Sequence, residues 1–449
     1  MSVIEEVRPR VFKRVGFHSH IKGLGLDESG KAKRVADGMV GQEEAREAAG
    51  IVVQMIREGK MAGRGILLVG PSGTGKTALA VAIARELGED TPFVEFGGSE
   101  VFSTDLKKTE LLMQTLRKAI GVRLREKRLV YEGVVKDLKV RRVSHPFNPY
   151  LKIPREAKIT LETKDDSLTL TVTEEIARQL IQEGVRINDV IWLDAETGRV
   201  FREGRVRGDG GYDVSAVRIV EMPRGPVKKE KEIVNTVTLH DLDVYVASKR
   251  VGLELLLGFA APREIGHEVR KMVDEEVKRL VESRKAEMVP GVLFIDDAHM
   301  LDLETFSFLS EAMESELAPI LILATNRGFT KIRGTDLVSP HGIPLDLLDR
   351  LLIIVTRPYT RDEIREILMI RADEEEVPLE KEALERLADV GIERSLRYAV
   401  QLLEPARIIA ARKGRPKVTV EDVEEAARLF LDLKRSTEYV AKHEELMLK

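Results

Sequence analysis

Apolar and polar positions change rhythm along this chain, and the changes divide it into segments. Gly65-Ile66-Leu67-Leu68-Val69, Val292-Leu293-Phe294-Ile295, Ile320-Leu321-Ile322-Leu323-Ala324 and Leu351 to Val355 are short unbroken apolar runs. That is the pattern of strands covered on both faces of a parallel sheet. Ala78 to Leu87 is rich in strong helix formers. Residues 121–290 read differently. Lys158-Ile159-Thr160-Leu161-Glu162-Thr163 and Ser167-Leu168-Thr169-Leu170-Thr171-Val172 alternate polar and apolar, as half-buried strands do. Val185 to Val200 adds a strand pair around the turn Glu196-Thr197-Gly198, and the whole predicts a small β-barrel. Gly266 to Met288 reads as a charged amphipathic helix leading back to the core. From Tyr359 onward, Ala383, Leu384, Leu387 and Ala388, then Leu396, Val400 and Leu403, then Val423, Ala426, Ala427 and Phe430 recur at helical spacing, predicting a small bundle. The polar tail from Lys434 is expected to fray. The fold class is therefore α/β: a core in two parts, residues 1–120 and 291–358, interrupted by an inserted barrel over 121–290 and followed by a C-terminal helical domain over 359–449.

Composition narrows the chemistry. Of 449 residues, 43% are hydrophobic and 33% charged, with a formal charge of −4. Real cores are possible, and no global bias toward nucleic acid exists. Cysteine is absent, which excludes disulfides, zinc fingers and thiol catalysis. No apolar run approaches a membrane span, and the charged N-terminus lacks a signal-peptide core, so a cytoplasmic protein without membrane contact is expected. Asparagine occurs only at 148, 188, 235 and 326. So few thermolabile residues among so many charges suggest a thermophile.

The chemistry is concentrated in Gly70-Pro71-Ser72-Gly73-Thr74-Gly75-Lys76-Thr77, a phosphate-binding loop set between an apolar strand and a helix. Its glycines let backbone N–H groups surround a phosphate at the positive end of the helix. Lys76 would reach the β- and γ-phosphates of ATP, and the Thr77 hydroxyl would ligate Mg²⁺. The run Val292 to Ile295 ends in Asp296-Asp297. Past the carboxyl end of a parallel strand, Asp296 would hold the metal through water and Asp297 would polarise the attacking water. Asn326, at the end of another strand, would bond the γ-phosphate or that water. Arg397, near a helix start, could reach back to the nucleotide. Arg350, taken alone, reads as a surface ion-pair residue. Within the insertion, Arg123, Arg125, Lys127, Arg128, Lys136, Lys139, Arg141, Arg142, Lys152, Arg155 and Lys158 make a basic stretch. His145, Phe147, Tyr150, Trp192 and Tyr212 offer stacking faces for a single strand.

Longer strings carry a family resemblance. They include His18 to Asp27, Gly38-Met39-Val40-Gly41-Gln42-Glu43, Gly98 to Thr104, Val237 to Asp243, and Ser339 to Arg350. Together with the motifs above, the chain resembles the RuvB-like AAA+ ATPases, the eukaryotic pontin and reptin proteins and their archaeal relatives. The resemblance implies that His20, Gly41 and Gln42 line the adenine and ribose side, with Tyr359 and Ile367 packed on the base. It makes Asn326 and Arg397 the two sensors and Arg350 an arginine finger completing a neighbour's site. It also implies a hexameric ring, single or doubled, and an insertion of the oligonucleotide-binding (OB) type. Two functions follow from it: a motor acting on DNA or RNA with helicase activity, or an ATP-gated platform or chaperone for protein and ribonucleoprotein clients, as in chromatin remodelling. One position departs from the family, which has Asp-Glu where this chain has Asp296-Asp297. The shorter side chain would set the carboxylate about 1.5 Å further from the water, so tight ATP binding with slow hydrolysis is expected.

Overall fold

The computed structural model describes residues 18–88, 90–102, 107–145, 148–206, 219–256, 264–315 and 317–443. Ser103, Thr104, Phe147 and Tyr212, all named above, lie outside that set. The unbroken apolar runs form a five-stranded parallel sheet: β1 (Gly65–Val69), β2 (Phe93–Gly97), β3 (Val292–Asp296), β4 (Ile320–Thr325) and β5 (Leu351–Val355), in the spatial order β5-β1-β4-β3-β2.

Alternate residues of each strand feed opposite faces, which is why the strands read as continuous apolar runs. Ile66, Leu68, Val292, Phe294, Ile320 and Ile322 pack against the helices Glu43–Arg57 and Lys76–Leu87. Leu67, Leu293, Ile295, Leu321 and Leu323 pack against Lys108–Lys118 and Leu303–Met313. Burying a side chain such as Phe294 or Leu67 contributes on the order of 1.5–3 kcal/mol each.

After β5 the chain enters a helical lid. The first helix, Arg361–Glu374, starts at a reciprocal cap between Thr360 and Glu363, which satisfies N–H groups the helix leaves open. It packs with Lys381–Glu393, Leu396–Gln401, Leu403–Arg412 and Val420–Leu429 around Leu368, Leu387, Leu403 and Val423. The tail expected to fray is helical over Leu433–His443, although none of its residues is buried. Asp432 starts that helix, its carboxylate accepting from the Arg435 N–H at 3.0 Å.

The chain divides into two compact units, residues 1–122 with 237–276 and 288–449 in one, and 123–236 with 277–287 in the other. The second unit holds the alternating segments. Antiparallel strands run in the order Ser167–Val172, Asn148–Glu162, Ile120–His145, Asp189–Asp194, Val200–Arg205, and Lys228–Thr238 and Ala286–Pro290 also pair with the long strand. Ile159, Leu161, Ile191, Leu193 and the Ala177 and Leu180 side of helix Glu174–Gln182 form its core. Trp192 is nearly buried and stacks at 4.0 Å on the exposed ring of Phe201. The helix Leu239–Leu256 belongs to the first unit instead, although it falls inside 121–290. A buried pair explains this: Arg117 donates to both carboxylate oxygens of fully buried Asp243, at 2.5 and 2.7 Å. Among the described residues no helix is long and apolar enough to cross a membrane.

Candidate nucleotide site

The phosphate loop follows β1, and a Cβ on Gly70 would fall on the backbone and side chain of Thr356. Thr74 turns inward, its hydroxyl 2.6 Å from that of Thr356 and 2.9 Å from the Pro71 carbonyl. Gly70, Pro71 and Thr74 thus build the loop, whereas Ser72, Gly73, Gly75, Lys76 and Thr77 line a cavity of about 480 Å³. Lys76 Nζ donates to the Gly70 and Pro71 carbonyls at 2.9 and 2.8 Å. Burial lowers its pKa, while Asp296 and Asp297 oppose that shift.

Gly75 sits at φ +84, a left-handed conformation that favours glycine, and a Cβ there would fall on the Tyr359 hydroxyl. Gly75→Ala should therefore weaken ATP binding by about tenfold or more, each 1.4 kcal/mol of strain or clash being one decade. Gly414→Ala, equally left-handed at φ +70 but facing open space, should leave affinity unchanged. Titration with a fluorescent ATP analogue compares the two.

Asp296 and Asp297, at the end of β3, and Asn326, after β4, line the same cavity as the loop. Asp297 is left-handed at φ +50, its N–H donating to Asp296 Oδ1 at 2.9 Å. At the other end the wall is apolar: Ile21, Met39, Val40, Tyr359, Ile367, Leu396 and Val400, with His20, Arg371 and Arg397 around them. Arg371 Nη1 lies 3.4 Å from His20 Nδ1. Burial, with His20, Arg371 and Arg397 nearby, pushes the pKa of His18 down to about 4. Burial and then Arg371 lower that of His20. Both imidazoles are neutral at pH 7, as suits a wall against a flat heterocycle.

Two expected base-side residues stand elsewhere. Gln42 Nε2 donates to the Arg357 carbonyl at 2.5 Å and its Oε1 accepts from the Arg357 N–H at 3.1 Å. Gly41 is pressed against the Glu363 carboxylate. Arg357 itself pairs with Glu363 at 2.7 Å and Glu43 at 3.1 Å. Neither Gly41 nor Gln42 is on the cavity wall; they clasp the turn from β5 into the lid. Arg350 is absent from that wall too and pairs with Glu314 at the surface.

Several wall residues escaped the motif reading. Glu95 lines both this cavity and a neighbouring one of about 500 Å³, shared with Asp296, Asp297 and Asn326. Its side chain is exposed overall, yet partial burial, then Asp296 and Glu100, push its pKa up. The only signal for it was one charge inside an apolar strand. His299, 4.0 Å from Asp297 Oδ1 and lowered in pKa by burial, lines the second cavity. Arg371 lay in a helix whose polar residues gave no hint of direction.

The donors fit a magnesium nucleotide. The Thr77 hydroxyl and the Asp296 carboxylate are hard oxygen ligands. Among the described residues no three His, Cys, Asp or Glu side chains are grouped to hold an ion alone. A divalent cation would thus complete its shell from phosphate and water, which is how Mg²⁺ binds. Held by Thr77 and Asp296, it would supply positive charge against the charge that develops on the phosphates.

Comparison with known proteins agrees with this chemistry. The TIP49 P-loop domain model matches residues 14–362 and the TIP49 AAA-lid domain model residues 367–432. RuvB-like helicase 1 of Drosophila pseudoobscura pseudoobscura is 47% identical over 454 residues, covering 99% of this chain and all of that protein. RuvB-like helicase 1 of Aedes aegypti is 47% identical, covering 97% of this chain and 98% of its own length. The Candida glabrata protein of that name is 46% identical, with 99% of each covered.

Proposed function

Because the chain belongs to the TIP49 family of RuvB-like, pontin-like AAA+ ATPases, we propose that it is a ring-forming enzyme that hydrolyses ATP to ADP and phosphate to remodel nucleic acid or nucleoprotein complexes. The observation that carries this reading is the single cavity lined by Lys76, Thr77, Asp296, Asp297, Asn326 and Arg397. Lys76 holds the β- and γ-phosphates and Thr77 with Asp296 holds Mg²⁺. Asp297 orients water, Asn326 and Arg397 contact the γ-phosphate, and the Tyr359 and Ile367 wall takes the base. Arg350 serves the next subunit. Phe329, Leu337, Val338 and Leu345 are exposed apolar side chains just ahead of it in the chain, a composition that suits a subunit interface.

Whether the ring is a motor or a platform is decided at the insertion. The name of the relatives, RuvB-like helicase, supports a motor. The platform reading is favoured by the charge pairing of the basic stretch. Arg123 and Arg125 pair with Glu287, Arg128 with Glu126 and Asp194, Lys136 with Glu162, Lys139 with Asp137, and Arg141 with Glu156. Paired cations release few counterions from a nucleic acid. ATP turnover by the full chain with and without single-stranded DNA, from low to high salt, tests the two. A motor is accelerated several-fold, with a stimulation that falls steeply with salt. A platform shows turnover that DNA leaves unchanged. Absence of any ADP production would refute both.

A further inference from the structure

Glu95 occupies a position that the roles above leave unused. In the parallel pairing of β2 with β3, Glu95 lies opposite Phe294 and Gly97 opposite Asp296. Paired residues of a parallel ladder share a face, and so do residues two apart along a strand. Glu95 and Asp296 therefore project from the same face, the one that stacks Phe93 on Phe294 at 6.2 Å. Their Cα atoms are separated by about 7 Å along the strands and about 5 Å across them. Both side chains line the wall shared by the nucleotide cavity and its neighbour, together with Asp297 and Asn326. An attacking water would have to be held at this shared wall.

Asp297 alone is poorly equipped to hold that water. Its side chain is one methylene shorter than glutamate and 56% exposed. The geometry points to Glu95 as a second carboxylate that positions the attacking water, making up for the short reach of Asp297. In this step the water oxygen forms the new bond to the γ-phosphorus. The bond from that phosphorus to the bridging oxygen breaks, its electron pair leaving with ADP. A water proton, hydrogen-bonded to the carboxylates, passes to the released phosphate. Glu95 spans the distance that Asp297 leaves open, so the two carboxylates act on one water.

This inference rests on the ATPase reading, and a four-member cycle separates their fates. The parent, Glu95→Gln, Asp297→Glu and the double variant are compared for kcat, KM and affinity for a fluorescent ATP analogue. Glu95→Gln should lower kcat by ~10–100-fold, at the lower edge of what a positioned acid–base group contributes. KM and nucleotide affinity should stay within about twofold, since the phosphate loop is untouched. With Asp297→Glu present, the same substitution should cost no more than about threefold, because the longer carboxylate then reaches the water unaided. A purely structural Glu95 would move affinity and KM along with kcat, and Asp297→Glu would not rescue it. An unchanged kcat in Glu95→Gln, or an equal loss in both backgrounds, overturns the inference while leaving the ATPase intact. A parent that makes no ADP sinks both.

Discussion

Arg350→Ala should reduce ATP turnover by about 10³-fold or more, the range found when an arginine finger is removed, with ATP affinity nearly unchanged. The register makes the case. Leu351 pairs with Gly65 and Val355 with Val69, so Arg350 precedes the start of β5 while the phosphate loop follows the end of β1. The Arg350 carbonyl accepts from the Gly65 N–H at 3.1 Å, fixing it at that edge of the sheet. Five strand residues span about 17 Å, beyond the roughly 7 Å reach of an arginine side chain. Its own nucleotide is out of range, so in the proposed ring any site that it completes belongs to a second subunit. Losing its exposed pair with Glu314 should cost well under about 1 kcal/mol of stability, so an inactive variant would be a folded one. Mixing Arg350→Ala subunits with Lys76→Ala subunits gives the decisive measurement. Turnover should reappear in mixed rings, at interfaces that keep one intact lysine and one intact arginine. Parent-level activity in Arg350→Ala alone would show that the residue completes no site.

Asp297→Glu should speed hydrolysis, by up to about 10²-fold in the Glu95→Gln background, where no second carboxylate makes up for the missing methylene, and by less with Glu95 present. Two opposing effects decide the size of the gain. The added methylene carries the carboxylate toward the water. The left-handed backbone at φ +50 tolerates aspartate somewhat better than glutamate, a difference smaller than the ~1–2 kcal/mol that any side chain meets there. That difference falls on stability, so the variant should melt slightly lower while turning over faster. Single-turnover rates beside a thermal melt separate the two. A variant that melts lower without hydrolysing faster would refute the distance argument.

Much of this site was legible because its chemistry demands contiguous residues. A loop that wraps a phosphate needs its glycines within one short stretch, and Gly70 to Thr77 announces itself. Buried parallel strands need unbroken apolar runs, so the sheet could be read without its order. Residues whose meaning depends on a distant partner were not legible. Gln42 looks like a base-contacting residue until the Arg357 backbone is seen on both of its amide atoms. The helix Leu239–Leu256 looked like part of the insertion because nothing local connects Asp243 to Arg117. Glu95 was hidden for the opposite reason: one charge in an apolar strand carries no period of its own.

Where the chain leaves and rejoins the parallel sheet, the first unit ties its backbone at one place. Gly291 is pressed against the carbonyls of Ala119 and Pro92, so the outgoing and returning chain segments share one anchorage. The Val292 N–H donates to the Pro92 carbonyl at 2.8 Å and the Gly291 carbonyl accepts from the Ile320 N–H at 2.8 Å. That anchorage stands at the foot of β2 and β3; Asp296 ends β3, Asp297 follows it, and Glu95 stands midway along β2. A side chain in place of Gly291 would therefore push on the start of β3, and the displacement would be carried along one straight strand to Asp296 at its other end.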